Sequence, residues 1–157
     1  MSLGAPTPAS YTQATYFGVH AFWFTDPDGK RTKVRYRWEP DAGEEALSDE
    51  DAAARAPDYL TTDLTERLSN GEASFTLHLI VGADLDDETD PTTEWPADRD
   101  EVVAGRLVLT GRPDDPQDIE ELMFDPTRVT SGIACRDDEI LHAHTAAYGA
   151  SYQRRTT

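Results

Sequence analysis

Two runs of aromatic and β-branched residues, joined by a short turn signal, place the strongest constraint on the fold of this chain. The turn reads DPDG at residues 26–29, where the proline presets φ and the glycine accepts positive φ. The flanking runs, YFGVHAFWFT and RTKVRYRWE, therefore predict a β-hairpin with strands at Tyr16–Thr25 and at residues 31–39.

The remaining segments predict an α+β domain in the order β-β-α-α-β-β-α-α. Ser48 and Asp51 form a capping-box pattern before a first short helix, and regularly spaced leucines predict a second helix at residues 57–71. The runs ASFTLHLIVGA and VVAGRLVLTG predict two more strands, and two helices follow them. We expect a four-stranded antiparallel sheet, open rather than closed, with a helical insertion between its hairpins. Its outer strands are exposed edges unless a covering segment or a partner pairs with them.

Length and composition narrow the class of protein. The 157 residues suit one domain, which we place at residues 16–157 after a linker or truncated start at residues 1–15. The net charge of -17 argues against nucleic acid and anionic membranes as partners. The sequence has no apolar run long enough to cross a bilayer and no signal-peptide pattern, so we expect a cytoplasmic protein. Its one cysteine, Cys135, excludes an intramolecular disulfide and a cysteine metal cluster.

Two charged segments leave alternatives open. Lys33, Arg35 and Arg37 alternate along the second predicted strand and share one face. That face is either paired with nearby acids or meets the carboxylates or phosphates of a ligand. Residues 84–101 contain nine acids and one arginine, a pattern typical of a solvated loop, with a weak divalent-cation site as the alternative.

The C-terminal segment LHAHTAAYGASYQRR carries the pattern with the most chemical content. His144 and Tyr148 are four residues apart on a predicted helix and share a face. An amphipathic helix with a half-buried tyrosine is one interpretation. The other follows because a cation one turn from a tyrosine favours the phenolate form, and phenolate is an axial ligand of ferric haem. Arg155, two turns further along, then suits a haem propionate.

The sequence resembles the second half of the haem-containing catalase fold, and especially the small catalase-related peroxidases. The matching blocks cover nearly the whole chain and include TPASYTQATYFGVHAFWFTDPDGK, VRYRWEPDAG, LSDEDAAARAPDYL and EWPADRDEVVAGRLVLT. The most specific block, FDPTRVTSGIACRDDEILHAHTAAYGASYQRR, is similar to the proximal haem segment of that family. The resemblance implies half of a catalase-type β-barrel, with the proximal haem helix at residues 137–155.

The resemblance also implies roles for individual residues. Tyr148 matches the tyrosine that ligates haem iron, and Phe124 matches the aromatic residue of a turn close to the haem. Asp138 matches an acid at the helix start that supports the basic residue beside the tyrosine. Arg155 matches an arginine near a propionate.

Two positions depart from the family pattern. The family usually has arginine four residues before the ligand tyrosine, where this chain has His144. Arg37 stands where larger catalases often place a histidine of the same network. We therefore expect that the two residue types have exchanged places, so that a positive charge remains near the phenolate. Because histidine is cationic only part of the time at neutral pH, this exchange would alter the tuning of the iron.

The distal half of the family's haem pocket, with its essential histidine and asparagine, has no counterpart in this sequence. We therefore expect either an excerpt of a longer protein or a half-length relative. One hypothesis is a haem hydroperoxidase that decomposes hydrogen peroxide or organic peroxides only with an N-terminal half, and that is inactive as this chain alone. The alternative is a non-catalytic half-barrel that dimerises and binds haem weakly or not at all. A lipocalin-like pocket for an apolar ligand is a third and lesser interpretation.

Overall fold

The computed structural model describes residues 6–115 and 117–156 of the chain. The predicted order of elements is confirmed, with one short strand in addition. In sequence order the elements are a 3₁₀-helix (Tyr11–Gln13), β1 (Tyr16–Thr25), β2 (Arg31–Pro40), α1 (Asp49–Ala54), α2 (Tyr59–Asn70), β3 (Ala73–Val81), β4 (Glu101–Leu109), α3 (Gln117–Glu120), β5 (Ile133–Cys135) and α4 (Glu139–Arg155).

The strands form one open antiparallel sheet in the order β4-β3-β2-β1-β5. The prediction of four strands was therefore wrong by one, because β5 adds to the free side of β1. In its register, Phe22 faces Cys135 and Phe24 faces Ile133. A strand of three residues is too short to show the alternation by which strands are recognised in a sequence, which explains why it was missed.

The first hairpin is confirmed, and its turn is closed by Asp26. The Oδ1 atom of Asp26 accepts hydrogen bonds from the backbone N–H groups of Asp28 at 3.0 Å and Lys30 at 2.8 Å. Gly29 adopts a φ of 82°, a left-handed conformation that costs glycine little. The helical insertion also begins as predicted, since the Ser48 hydroxyl accepts from the N–H of Asp51 at the start of α1.

The contacts divide the chain into two compact units. Unit 1 comprises Met1–Phe17, Arg37–His78 and Val103–Arg112, and unit 2 comprises Gly18–Tyr36, Leu79–Val102 and Pro113–Thr157. The core of unit 2 is a cluster of the buried residues Phe22, Val34 and Leu141. Partly buried apolar residues of the same unit pack around it, namely Phe24, Tyr36, Leu79, Ile133 and Cys135.

Polar groups hold the first described residues within unit 1. The Ser10 side chain is fully buried and hydrogen-bonds to Thr12 and to the carboxylate of Asp63. The Tyr59 hydroxyl donates to the carbonyl oxygen of Pro8 at 2.7 Å. The interpretation of residues 1–15 as a linker or truncated start stays a prediction, and residues 1–5 lie outside the described part of the chain.

Two of the three cations on one face of β2, Lys33 and Arg35, are used inside unit 2. Lys33 is buried, and its Nζ donates to the carbonyl oxygens of Asp84 at 3.2 Å and Asp86 at 2.6 Å. The Arg35 guanidinium lies 4.6 Å from the ring centroid of Trp95 and donates to the carbonyl oxygen of Thr93. Lys33 and Arg35 therefore bind the acidic loop of their own chain, through its backbone carbonyl oxygens rather than through the acid side chains that the sequence suggested.

The acidic loop is also fixed by an ion pair. The Arg99 guanidinium donates to both carboxylate oxygens of the buried Asp86, at 2.7 and 2.9 Å. Among the residues that the structure describes, no group of three or more acidic, histidine or cysteine side chains is arranged to hold a metal ion.

The described helices also include none that is both long and apolar enough to span a membrane.

Because of the Asp86–Arg99 pair, we expect the stability of unit 2 to decrease at acid pH. The hydrogen bonds from Arg99 lower the pKa of Asp86 to about 2, against an unfolded value of about 3.9. A depressed carboxyl pKa contributes stability above the unfolded value and loses that contribution as the pH falls toward the folded value. We expect the free energy of unfolding to fall between about pH 4 and pH 2, and to fall less in Asp86→Asn. Denaturant unfolding at a series of pH values measures this, and identical slopes for both proteins would contradict it.

Candidate functional site

Asp138 fixes the start of α4. Its Oδ1 atom accepts hydrogen bonds from the backbone N–H groups of Ile140 at 2.9 Å and Leu141 at 3.0 Å. These bonds satisfy two donors that the first turn of a helix otherwise leaves free. Leu141 is fully buried in the core of unit 2 and anchors the same turn by packing. The first turn of α4 is therefore fixed by both polar and apolar contacts.

The second carboxylate oxygen of Asp138 pairs with His20 on β1. The distance from Oδ2 to the Nδ1 atom of His20 is 2.6 Å. Burial by itself raises the pKa of the Asp138 carboxyl, but the hydrogen bonds from Leu141 and His20 outweigh it and hold the pKa below its ordinary value. Because an ionised carboxylate can only accept, Nδ1 of His20 carries the shared proton.

His20 is the second member of a row of contacts that ends at Tyr148. The rings of His20 and His144 meet edge to face, with centroids 5.5 Å apart. The ring of His144 in turn contacts the ring of Tyr148, with centroids 5.7 Å apart. We call Asp138, His20, His144 and Tyr148 the proximal row. It connects the capped start of α4 to a phenol at the middle of the same helix through a residue of the sheet.

Tyr148 lies at the open end of the proximal row. Its side chain is 43% exposed, and with Phe124, Asp125 and Pro126 it lines a pocket of about 240 Å³. Among the residues that the structure describes, its ring contacts His144, and none hydrogen-bonds to its hydroxyl group. An exposed phenol without an internal hydrogen bond is available to a ligand outside the protein.

The FDP turn is tied to α4 through Asp125. The Asp125 Oδ1 atom accepts from the N–H of Thr127 at 2.9 Å and from the hydroxyl of Thr145 at 3.1 Å. The hydrogen bonds from Thr127, backbone first and then hydroxyl, lead the effects that lower the pKa of Asp125 and keep it ionised at neutral pH. This bond to α4 holds the turn that carries Phe124, a residue that is itself 61% exposed, beside Tyr148.

The other two predicted site residues have partners of their own. Arg155 lies two turns after Tyr148 on α4, and its Nη2 atom donates to the carbonyl oxygen of Leu122 at 3.1 Å. Arg37 belongs to unit 1, where it pairs with Glu39 at 3.2 Å. The residue that pairs with Asp138 is His20. The role of Arg37 in place of a proximal histidine stays a prediction.

His20 was not among the residues that the sequence predicted for the site. A signal was present, because His20 alternates with Phe22 and Phe24 and therefore shares the inner face of β1 with core residues. A histidine at such a position needs a hydrogen-bonding partner. That partner is 118 residues away in sequence, so the sequence alone did not identify it.

Removal of the Asp138 side chain tests whether the proximal row depends on it. We expect Asp138→Ala to lower the free energy of unfolding by about 2 kcal/mol, because it removes the helix cap and leaves His20 without its partner. Asp138→Asn should cost less, because asparagine is also a good cap. The matched control is Asp137→Ala at the exposed neighbouring position. Equal losses in Asp138→Ala and Asp137→Ala, measured by denaturant unfolding, would contradict this account.

Comparison with known proteins places this geometry in a family. The chain matches the sequence model of the Catalase family over residues 2–157. It is 38% identical over 151 residues to a catalase-related peroxidase of Mycolicibacterium paratuberculosis, covering 95% of this chain and 48% of that protein. It is 33% identical over 150 residues to a catalase-related peroxidase of Synechococcus elongatus, covering 95% of this chain and 44% of that protein.

Solved structures agree with the sequence comparison. A fungal catalase superposes with a TM-score of 0.85 at 24% sequence identity, covering 95% of this chain and 32% of the fungal chain. At that identity the superposition shows the fold, which is catalase-like. The chain spans about half the length of the curated relatives it matches. Because the family match extends over nearly every residue, this chain belongs to the catalase family.

Proposed function

We propose that this chain is the haem-binding part of a catalase-related haem peroxidase, and that Tyr148 is the axial ligand of the haem iron. The observation that carries the proposal is the exposed phenol of Tyr148 on α4, whose ring is contacted by His144 of the proximal row. Proteins of the catalase family generally bind haem, and phenolate is the ligand type that catalase uses.

The residues around Tyr148 fit a haem group. The phenol oxygen has no internal hydrogen bond among the described residues, so coordination costs the protein none. Phe124 is exposed beside it and offers an apolar surface to a macrocycle. Arg155 lies two turns along the same helix, and a guanidinium is a side chain that suits a propionate carboxylate.

The proximal row supplies the positioning. Outer partners of a metal ligand fix its orientation and tune its basicity. In this chain the ionised Asp138 holds His20, His20 contacts the edge of His144, and His144 packs against Tyr148. His144 stands one turn before Tyr148, where the family usually has arginine, and its ring contact orients the phenol.

The substrate class that follows is hydrogen peroxide or an organic peroxide. Haem, when bound, supplies the iron at which the O–O bond is cleaved. Cleavage also needs a base on the peroxide side to move a proton between the two oxygens. No histidine of this sequence lies in a distal motif of the family. We propose that turnover requires a distal half, supplied by the same or by another polypeptide, and that this chain alone binds haem without turnover.

A second candidate function is assembly without catalysis. The observation that favours it is the open sheet, whose edge strand β4 is exposed along eight of its nine residues. An exposed edge of this length is a template for pairing with another strand. In this candidate, the chain closes its sheet against a partner and holds haem weakly or not at all.

Substitution of the proposed ligand separates these candidates. We expect the wild-type chain to bind haemin saturably, with a high-spin ferric Soret band, and Tyr148→Phe to lose that band, because phenylalanine lacks the oxygen that coordinates iron. The measurement is a visible absorption titration, with circular dichroism to confirm that both proteins are folded. Tyr152→Phe, one turn later on α4, is the matched control and should bind as the wild type does. A Tyr148→Phe chain with the wild-type spectrum would exclude Tyr148 as the ligand.

The contact between His144 and Tyr148 makes a separate prediction. His144→Leu should weaken haemin binding by about tenfold, the lower end of the effect seen when an outer partner of a metal ligand is lost. His144→Arg should restore binding, because arginine is the residue that the family usually has one turn before the ligand tyrosine. His142→Leu is the control, since Nε2 of His142 donates to the carbonyl oxygen of Arg136 at 2.9 Å and His142 does not line the pocket beside Tyr148. Equal affinities for His144→Leu and wild type would contradict the proposed role of His144.

A further inference from the structure

The short connection between β5 and α4 holds strand β1 from both of its faces. Because side chains alternate along a strand, His20 and Trp23 of β1 lie on opposite faces of the sheet. At the end of the connection, Asp138 bonds to His20 at 2.6 Å. At its start, the Arg136 guanidinium lies 5.6 Å from the ring centroid of Trp23. The place of Arg136 on one face therefore helps to set where Asp138 meets His20 on the other.

Arg136 is held in that place by Glu88 of the acidic loop. The Nε atom of Arg136 donates to Oε1 of Glu88 at 2.6 Å. The other oxygen of Glu88, Oε2, lies 3.8 Å from Nζ of the buried Lys33. The Glu88 side chain is only 15% exposed, although the sequence predicts a solvated loop for this segment. A largely buried carboxylate with a cation at each oxygen is held in one position, unlike a solvated surface acid.

The loop segment that carries Glu88 is itself fixed within unit 2. Nζ of Lys33 donates to the carbonyl oxygen of Asp86 at 2.6 Å. The indole Nε1 of Trp95, later in the same loop, donates to the carbonyl oxygen of Asp87 at 2.6 Å. The two residues that precede Glu88 are therefore both held through their backbone, so the loop offers Arg136 a rigid support.

We propose that Glu88 is a positioning residue of the candidate haem site, and that it acts through Arg136 on the bond between Asp138 and His20. All four residues belong to unit 2. The carboxylate of Glu88 fixes Arg136, and the connection that begins at Arg136 carries Asp138 to His20 at the origin of the proximal row. The effect on haem rests on the proposed role of Tyr148, whereas the effect on the Asp138–His20 bond exists without haem.

NMR of the histidine ring nitrogens in the haem-free chain tests the effect on the bond. The signals of His20 are identified by their loss in His20→Leu. We expect Glu88→Gln, which removes the charge and keeps the shape of the side chain, to shift the ring nitrogen signals of His20, because the bond to Asp138 changes in geometry. Glu94→Gln removes the charge of an exposed acid in the same loop and should leave those signals in place. Unchanged His20 signals in a folded Glu88→Gln chain would overturn the proposal.

Haemin titration in two backgrounds tests the effect on the haem site. In the wild-type background, Glu88→Gln should weaken haemin binding by about threefold, less than the loss of a direct partner of a metal ligand. In the His20→Leu background it should cause no further loss, because the proximal row is already broken at its second residue.

A purely stabilising role for Glu88 would leave the haemin affinity unchanged in both backgrounds, and a route that bypasses His20 would give the same loss in both. Either result would overturn the proposal. Wild-type protein that binds no haemin would instead overturn the proposed function, and the NMR measurement would then still decide whether Glu88 positions the Asp138–His20 bond.

Discussion

The carboxylate of Asp138 is the interaction on which the candidate site depends. One oxygen caps α4 and the other holds His20, so a single buried side chain sets both the start of the helix and the partner that approaches it from the sheet. The lowered pKa keeps this carboxylate ionised at neutral pH, where it can accept the hydrogen bonds from α4 and from His20. Without Asp138, His20 would lose its hydrogen-bond partner, and its contact with His144, and through His144 with Tyr148, would no longer be fixed in position.

The acidic composition has structural consequences of its own. The loop that follows β3 is held by the buried Lys33 and by the Asp86–Arg99 pair, so these charges act within the fold. The same composition disfavours association of two copies at most surfaces.

Local signals in the sequence predicted local structure well. The DPDG turn specified the first hairpin because proline and glycine there restrict and permit the needed backbone angles. The helix cap at Ser48 could also be predicted, because its partner Asp51 is only three residues away. The short β5 escaped prediction because three residues carry no periodicity, and it is a strand only because β1 pairs with it.

The candidate site was predictable where it resembles a family and unpredictable where it depends on distant contacts. His144 and Tyr148 share a helix face by spacing, and the structure brings their rings together. The partner of His20 lies far along the sequence, so only the fold reveals the pair. The role of Arg37 followed from an expected exchange of residue types with His144, and it remains a prediction.

The central claim is that Tyr148, oriented by the proximal row, coordinates haem iron. Resonance Raman spectroscopy of the haemin-loaded chain tests it most directly, because an iron-bound phenolate has ring and iron–oxygen vibrations that free tyrosine lacks. The account predicts these vibrations in the wild type and in Tyr152→Phe, and their loss in Tyr148→Phe. A haem complex without phenolate vibrations, or with the same vibrations in Tyr148→Phe, would contradict it.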